Sequence, residues 1–97
     1  MKFVKFSITT PYFGTDYEDY LVYEEDTDEE IITRHCKGLA IEVGNYYKHH
    51  LKPEIKGLSP EEQNLRHLEY LQKCMELSKW EYITESDFDV AIDEGLV

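Results

Sequence analysis

Residues 2–25 read KFVKFSITTPYFGTDYEDYLVYEE and predict a β-hairpin. Residues 2–10 are dominated by β-branched and aromatic side chains, which are typical of a strand. Residues 11–15 interrupt this run, because proline and Gly14 favour a turn. Residues 17–25 are the second predicted strand. Aromatic side chains fall on both of its sides, so the pattern leaves open which face is buried.

Helical periodicity follows the hairpin. Apolar residues recur at helical spacing over residues 31–51, and Thr27 with Glu30 predicts a capping box at the start of this helix. Gly38 and Gly44 lie inside the pattern, and each costs a helix up to about 1 kcal/mol relative to alanine. Either the helix breaks near Gly44, or small residues allow a packing partner to approach closely.

The rest of the chain predicts a second helix, a short strand and a last helix. A loop is predicted over residues 52–58, and Ser59 caps the helix that follows. The wide apolar face of that helix predicts two packing surfaces, one against the sheet and one against the first helix or a second copy of the chain. Residues 80–83 predict a third strand, and Thr84 caps a last helix. The order β-β-α-α-β-α predicts a single α+β domain over residues 1–97, a small antiparallel sheet covered by helices.

The chain is acidic, with 21 Asp and Glu, 10 Lys and Arg, and a formal net charge of -11. Residues 15–30 hold nine of the acids and residues 81–97 hold six, with no Lys or Arg in either segment. Residues 31–80 carry a net charge of +2. Direct binding to nucleic acid or to anionic membranes is not expected, because both repel an acidic domain. The charge is explained either by a solvated surface or by a patch that attracts a basic partner.

Tyrosines accompany the first acidic segment at four positions, Tyr12, Tyr17, Tyr20 and Tyr23. Tyrosine is favoured in strands and also at interfaces, so both explanations remain open. Carboxylates interleaved with tyrosines suit Lys and Arg side chains, which bind through ion pairs and cation–π contacts. The candidate partner-binding residues are therefore Tyr17, Glu18, Asp19, Tyr20, Glu24, Glu25, Asp26, Asp28 and Glu29.

Sequence motifs predict neither an enzyme nor a cofactor or metal. His35, Cys36, His67 and Cys74 do not match the close ligand pairs of zinc sites, although antiparallel packing of the two helices would bring them together. Glycine-rich phosphate loops and nucleophile-elbow serines do not occur. Two cysteines are too few for a disulfide-stabilised secreted scaffold, and neither a signal peptide nor a membrane span is predicted. We therefore expect a cytoplasmic protein.

One segment resembles a known group of proteins. The stretch ITTPYFGTDYEDYLVYEEDTDEEI, within residues 6–32, resembles the start of small uncharacterised acidic proteins encoded by phages and mobile elements of Gram-positive bacteria. Those proteins pair an N-terminal hairpin with an acidic helix start. The resemblance implies an accessory protein that acts against a host system, and it offers no catalytic residues to transfer. In size and acidity the chain is also similar to anti-CRISPR and other anti-defence proteins.

Three functional hypotheses follow. The first is a non-enzymatic inhibitor, a nucleic-acid mimic that blocks a basic nucleic-acid-binding surface of a host protein such as a defence nuclease. The second is a homo-oligomer, for example a homodimer, that binds a small ligand such as a nucleotide signal between subunits. Its candidate residues are Arg34, His35, Lys37, His49, His50 and Arg66. The third, which the motifs do not favour, is a metal-dependent or thiol enzyme that uses Cys36 and Cys74.

Overall fold

The computed structural model describes residues 1–11 and 14–95, and of His50 the backbone alone. Its strands are β1 (Lys2–Thr9), β2 (Asp16–Tyr23) and β3 (Lys79–Ile83). Its helices are α1 (Glu29–Tyr46), α2 (Lys52–Ile55), α3 (Pro60–Leu77) and α4 (Glu85–Asp93), and a 3-10 turn, Lys48–Leu51, links α1 to α2. This order confirms the predicted α+β class, with α2 as an additional helical turn.

The sheet has the strand order β2-β1-β3, and both pairs of strands are antiparallel. β1 is therefore the central strand, and its Phe6 lies opposite Asp19 on β2 and Trp80 on β3. The turn between β1 and β2 is closed by the Thr10 N–H, which donates to the carbonyl oxygen of Thr15 at 2.8 Å. The predicted hairpin and the predicted third strand are both confirmed.

The two faces of the sheet are covered by different elements. On one face Val4, Phe6 and Ile8 are buried in the core formed with the helical side of the molecule. The helical side contributes Ile32, Cys36, Ala40, Val43, Leu51, Tyr70 and Cys74 to this core. On the other face α4 covers one end, where the ring centroids of Phe3 and Phe88 are 5.1 Å apart. We call the remainder of this face the open sheet face, which includes Lys5, Ser7, Glu18 and Tyr20.

Helices α1 and α3 pack closely at Gly44. A Cβ atom at this position would lie 2.9 Å from Cys74 Sγ and 3.0 Å from Leu71 Cδ2. Contacts this short force the neighbouring atoms to move, so the packing at this point requires glycine. At Gly38, in the same helix, an added Cβ would meet no heavy atom of the described residues within 4 Å. Of the two explanations left open by the sequence, the structure therefore supports a close packing partner at Gly44.

The predicted start of α1 is wrong by one residue. The N-cap is Asp28, without a side-chain cap hydrogen bond, and a Thr27–Glu30 capping box does not form. Thr27 is held by other contacts, because its N–H donates to the carbonyl oxygen of Glu24 and its own carbonyl accepts a hydrogen bond from Lys2 Nζ at 2.7 Å. Residues of the hairpin thus fix Thr27 outside the helix.

The segment between α1 and α3 is more helical than predicted. Residues 52–58, predicted to be a loop, begin with α2, since Pro53 fits the first turn of a helix. The predicted cap of α3 is confirmed, because Ser59 Oγ accepts a hydrogen bond from the Glu62 N–H at 3.3 Å. The local pattern therefore predicts the cap of α3 correctly.

The wide apolar face of α3 is only partly covered. Tyr70 and Cys74 are fully buried in the core. Leu65 and Leu68 keep 56% and 62% of their surface exposed. The structure therefore confirms both predicted packing surfaces of α3, one against β1 of the sheet and one against α1, and it leaves Leu65 and Leu68 outside them.

Candidate protein-binding surface

The candidate residues of β2 lie on two different faces of the sheet. The register places Glu18 and Tyr20 on the open sheet face, beside Lys5 of β1. It places Tyr17 and Asp19 on the face covered by helices. Because successive side chains of a strand point to opposite faces, these four candidates do not form one continuous surface.

Carboxylates from β2 and β3 flank Lys5 on the open sheet face. Lys5 Nζ lies 3.4 Å from Glu18 Oε1, and the Tyr20 hydroxyl donates to Glu18 Oε2 at 3.3 Å. The hydrogen bond and the charge of Glu18 raise the pKa of Lys5, and the charge of Glu81 on β3 adds to this. Burial, followed by the charges of Glu18 and Glu94, raises the pKa of Tyr20. Carboxylates from both acidic segments thus raise the pKa of Lys5 and of Tyr20.

Carboxylates of both acidic segments also lie near the N-terminal amine. The nitrogen of Met1 lies 2.7 Å from Glu25 Oε2. This hydrogen bond raises the pKa of the amine, and the charges of Glu24 and Glu85 raise it further. The same contact lowers the pKa of Glu25. Since Glu85 is the first residue of α4, the start of that helix is held near the turn that follows β2.

Carboxylates of both acidic segments thus lie close enough to Lys5, Tyr20 and the N-terminal amine to raise the pKa of these groups, and we call this set of carboxylates the acidic face. It consists of six exposed carboxylates, those of Glu18, Glu24, Glu25, Glu81, Glu85 and Glu94. Of the ten Lys and Arg residues, seven lie at positions 34–73, on or between α1 and α3. Because residues 34–73 also hold five acids, this part of the chain carries a net charge of +2, and the excess negative charge of the molecule is concentrated outside it.

The acidic face includes only part of the predicted site. Glu18, Glu24 and Glu25 belong to it, and Tyr20 lies beside it. Tyr17 is exposed on the opposite face of the sheet, and the remaining exposed candidates, in the turn after β2 and at the start of α1, are Asp26, Asp28 and Glu29. Tyr12, considered with the tyrosines of the first segment, lies outside the described residues. The prediction omitted Glu81, Glu85 and Glu94, whose only sequence signal was the acidic run over residues 81–97.

The cysteine and histidine side chains show no metal site. Within residues 1–11 and 14–95 no group of three or more His, Cys, Asp or Glu side chains is placed to hold a metal ion. Cys36 and Cys74 are buried free thiols, and burial raises the pKa of both. They are therefore protonated at neutral pH, which is the less reactive form. His35 Nδ1 lies 2.6 Å from the hydroxyl oxygen of Tyr23.

The basic residues considered for a small ligand are spread over the helical side. Three of them lie in the first half of α1, and these are Arg34, His35 and Lys37. His49 lies beyond the other end of α1, and the helix alone extends about 14 Å from Lys37 to Tyr46 at 1.5 Å per residue. Arg66 lies on α3 and pairs with Glu69 at 3.2 Å, while the side chain of His50 is not described. The described residues of this set therefore do not line a common pocket.

The free energy of unfolding is expected to fall as the pH rises above about 9. Burial raises the pKa of Cys36 and Cys74 from the ordinary value of 9.0, so the unfolded chain loses these protons at a lower pH than the folded chain. Their contribution is complete below pH 9 and is lost as the pH approaches the folded pKa values. Urea unfolding between pH 7 and 10 measures this decline. The free energy of unfolding of the double variant Cys36→Ala/Cys74→Ala should fall less steeply over this range. An equally steep fall would show that the two thiols do not cause the decline.

No family model, curated protein or solved structure matches this chain. None of the helices in the described part of the chain is long and apolar enough to cross a membrane. The acidic face and the concentration of excess negative charge outside residues 34–73 are the observations from which a function is proposed.

Proposed function

We propose that this chain is a small non-enzymatic inhibitor that binds a basic, nucleic-acid-binding surface of another protein and blocks it. The observation that carries this proposal is the acidic face, where exposed carboxylates from two distant segments of the sequence lie together. A surface of one sign attracts a partner of the opposite sign and accelerates their encounter. Proteins that bind nucleic acids present such basic surfaces, because Lys and Arg neutralise the phosphates.

The surroundings of Tyr20 support contact with basic side chains. Its hydroxyl is held by Glu18, so the phenol ring and the carboxylate are presented as a unit. An arginine or lysine side chain would meet both the face of an aromatic ring and a negative charge there. This combination strengthens the attraction that the carboxylates provide by themselves.

The charge distribution favours one docking orientation. Seven of the ten basic side chains lie at positions 34–73, on or between α1 and α3. A basic partner is therefore attracted to the acidic face and gains less from the helical side of the molecule. The proposal accordingly assigns the partner contact to the end of the open sheet face near α4 and the turn after β2.

The proposed inhibitor acts inside a host cell. The resemblance of residues 6–32 to phage and mobile-element proteins supports action against a host defence protein, of which a nuclease is one example. The net charge of -11 on 97 residues supports mimicry of a nucleic acid. The proposed location is the cytoplasm, where such a target would be encountered.

Capture from a bacterial host lysate tests this function. The immobilised chain is expected to retain a basic nucleic-acid-handling protein that elutes as salt increases, because salt screens exposed charges beyond about 10 Å at 0.1 M. Light scattering of the eluted complex then gives its stoichiometry. Retention of no basic protein, or a partner whose elution is independent of salt, would contradict the proposal. A homodimer without a protein partner would favour the ligand-binding hypothesis.

A further inference from the structure

A groove between β2 and α1 combines three tyrosines with one carboxylate. It is about 380 Å³ in volume, and its lining residues are Tyr17, Leu39, Glu42, Val43, Tyr46 and Tyr47. Tyr17 comes from the first half of β2, and the others come from the end of α1 and the residue after it. This volume lies at the small end of the range for ligand pockets, so it suits one long side chain better than a large organic ligand.

The aromatic rings of the groove are held by neighbouring side chains. Tyr46 and Tyr47 pack edge to face, with centroids 4.8 Å apart and an interplanar angle of 82°. Tyr17 packs against the buried Phe6 at 6.4 Å and 66°. Tyr46 nevertheless keeps 75% of its surface exposed. The groove thus presents the ring surface of Tyr46 to solvent, beside tyrosine rings that pack on their neighbours.

The groove is also negatively charged. Glu42 is exposed, and among the described side chains no Lys, Arg or His nitrogen lies within 4 Å of its carboxylate. Burial, followed by the charges of Asp19, Tyr47 and Glu42, raises the pKa of Tyr17. The Tyr17 phenol is therefore neutral at physiological pH.

We infer that this groove binds one arginine side chain of a partner protein. A guanidinium group is planar, stacks on aromatic faces and forms paired hydrogen bonds with a carboxylate. The tyrosine rings and Glu42 supply these two kinds of contact. Tyr17 also lines a neighbouring depression with Asp16, Glu18 and Lys79, at the end of β2 opposite to the turn that carries Glu24 and Glu25. The inference of a partner protein rests on the proposed function, whereas recognition of the guanidinium group is a property of the groove alone.

Titration with N-acetyl-arginine amide tests the groove without any partner protein. The expected result is a saturable change in the ring proton resonances of Tyr17, Tyr46 and Tyr47. N-acetyl-citrulline amide, which has nearly the same shape without the charge, should bind at least tenfold more weakly. No saturable change with the arginine derivative, or equal binding of the citrulline derivative, would overturn the inference.

Two substitutions test which residues bind the arginine derivative. Glu42→Gln should weaken binding of the arginine derivative at least fivefold, and Tyr46→Ala should do the same. Both positions are exposed, so the fold should persist, and circular dichroism checks this. Glu76→Gln removes an exposed carboxylate from α3 and should leave binding unchanged. Equal weakening by Glu42→Gln and Glu76→Gln would reduce the effect to net charge and overturn the site, as would unchanged binding by Tyr46→Ala.

The titration of the groove and the capture experiment that tests the proposed function give distinguishable results. If the arginine derivative does not bind but a basic protein is still captured in a salt-dependent manner, the groove is excluded and the acidic face is retained. If the derivative binds and no basic protein is captured, the groove is retained and the proposed function is excluded.

Discussion

Gly44→Val is expected to lower the free energy of unfolding by about 2–3 kcal/mol, the cost of overpacking a close-packed core. The first atom of any side chain at position 44 would already lie 2.9 Å from Cys74 Sγ and 3.0 Å from Leu71 Cδ2. Both neighbours belong to α3, and Cys74 is fully buried, so it has no free space into which to move. Valine adds two methyl groups beyond this first contact, and α3 must therefore shift away from α1.

Gly38 supplies the matched control. It lies in the same helix, and a Cβ placed there meets no described heavy atom within 4 Å. Gly38→Ala should therefore raise the free energy of unfolding by about 0.5–1 kcal/mol, the ordinary gain in helix propensity. Chemical denaturation of both variants measures the two values. Stabilisation by the Gly44 substitution, or similar losses at the two positions, would show that the contact between α1 and α3 is not as tight as the structure indicates.

Local patterns account for the parts of the fold that the sequence predicts correctly. The alternation in residues 2–10, the turn at Gly14 and the cap at Ser59 each depend on neighbouring residues. The structure shows the strand, the turn and the cap at these places. The start of α1 was predicted wrongly because Thr27 is held by Lys2, which is distant in sequence and close in space.

The composition of the acidic face depends on strand order, which local patterns do not reveal. Glu81 lies beside Lys5 because β3 pairs with β1, on the side opposite to β2. Glu85 and Glu94 reach the hairpin because α4 packs on Phe3. Because side chains alternate along a strand, Tyr17 and Glu18 are expected on opposite faces of the sheet. The sequence does not show which of the two faces the helices cover, because aromatic residues lie on both sides of β2.

Charge reversal on the acidic face is expected to weaken partner binding at least a hundredfold. The triple variant Glu24→Lys/Glu81→Lys/Glu85→Lys places three positive charges against a basic surface, where attraction becomes repulsion. A hundredfold loss corresponds to about 2.7 kcal/mol, or about 0.9 kcal/mol for each reversed charge. All three side chains are exposed, and the variant leaves the Lys5–Glu18 and Met1–Glu25 contacts in place, so the fold should be retained.

The control for this variant changes the net charge by the same amount on the helical side. Glu54→Lys/Glu69→Lys/Glu76→Lys reverses three exposed carboxylates of α2 and α3. If the acidic face is the contact surface, this control should bind the partner within about fivefold of the unmodified chain. Equal losses in the two triple variants would indicate a general effect of net charge.

The most direct test of blocking is displacement of a fluorescently labelled oligonucleotide from the captured partner, followed by anisotropy. The unmodified chain and the helical-side control are expected to release the oligonucleotide completely at stoichiometric concentrations. The acidic-face variant should require at least a hundredfold higher concentration for the same release. A ternary complex, in which the partner holds the oligonucleotide and the unmodified chain together, would contradict the proposal that this protein occupies a nucleic-acid-binding surface.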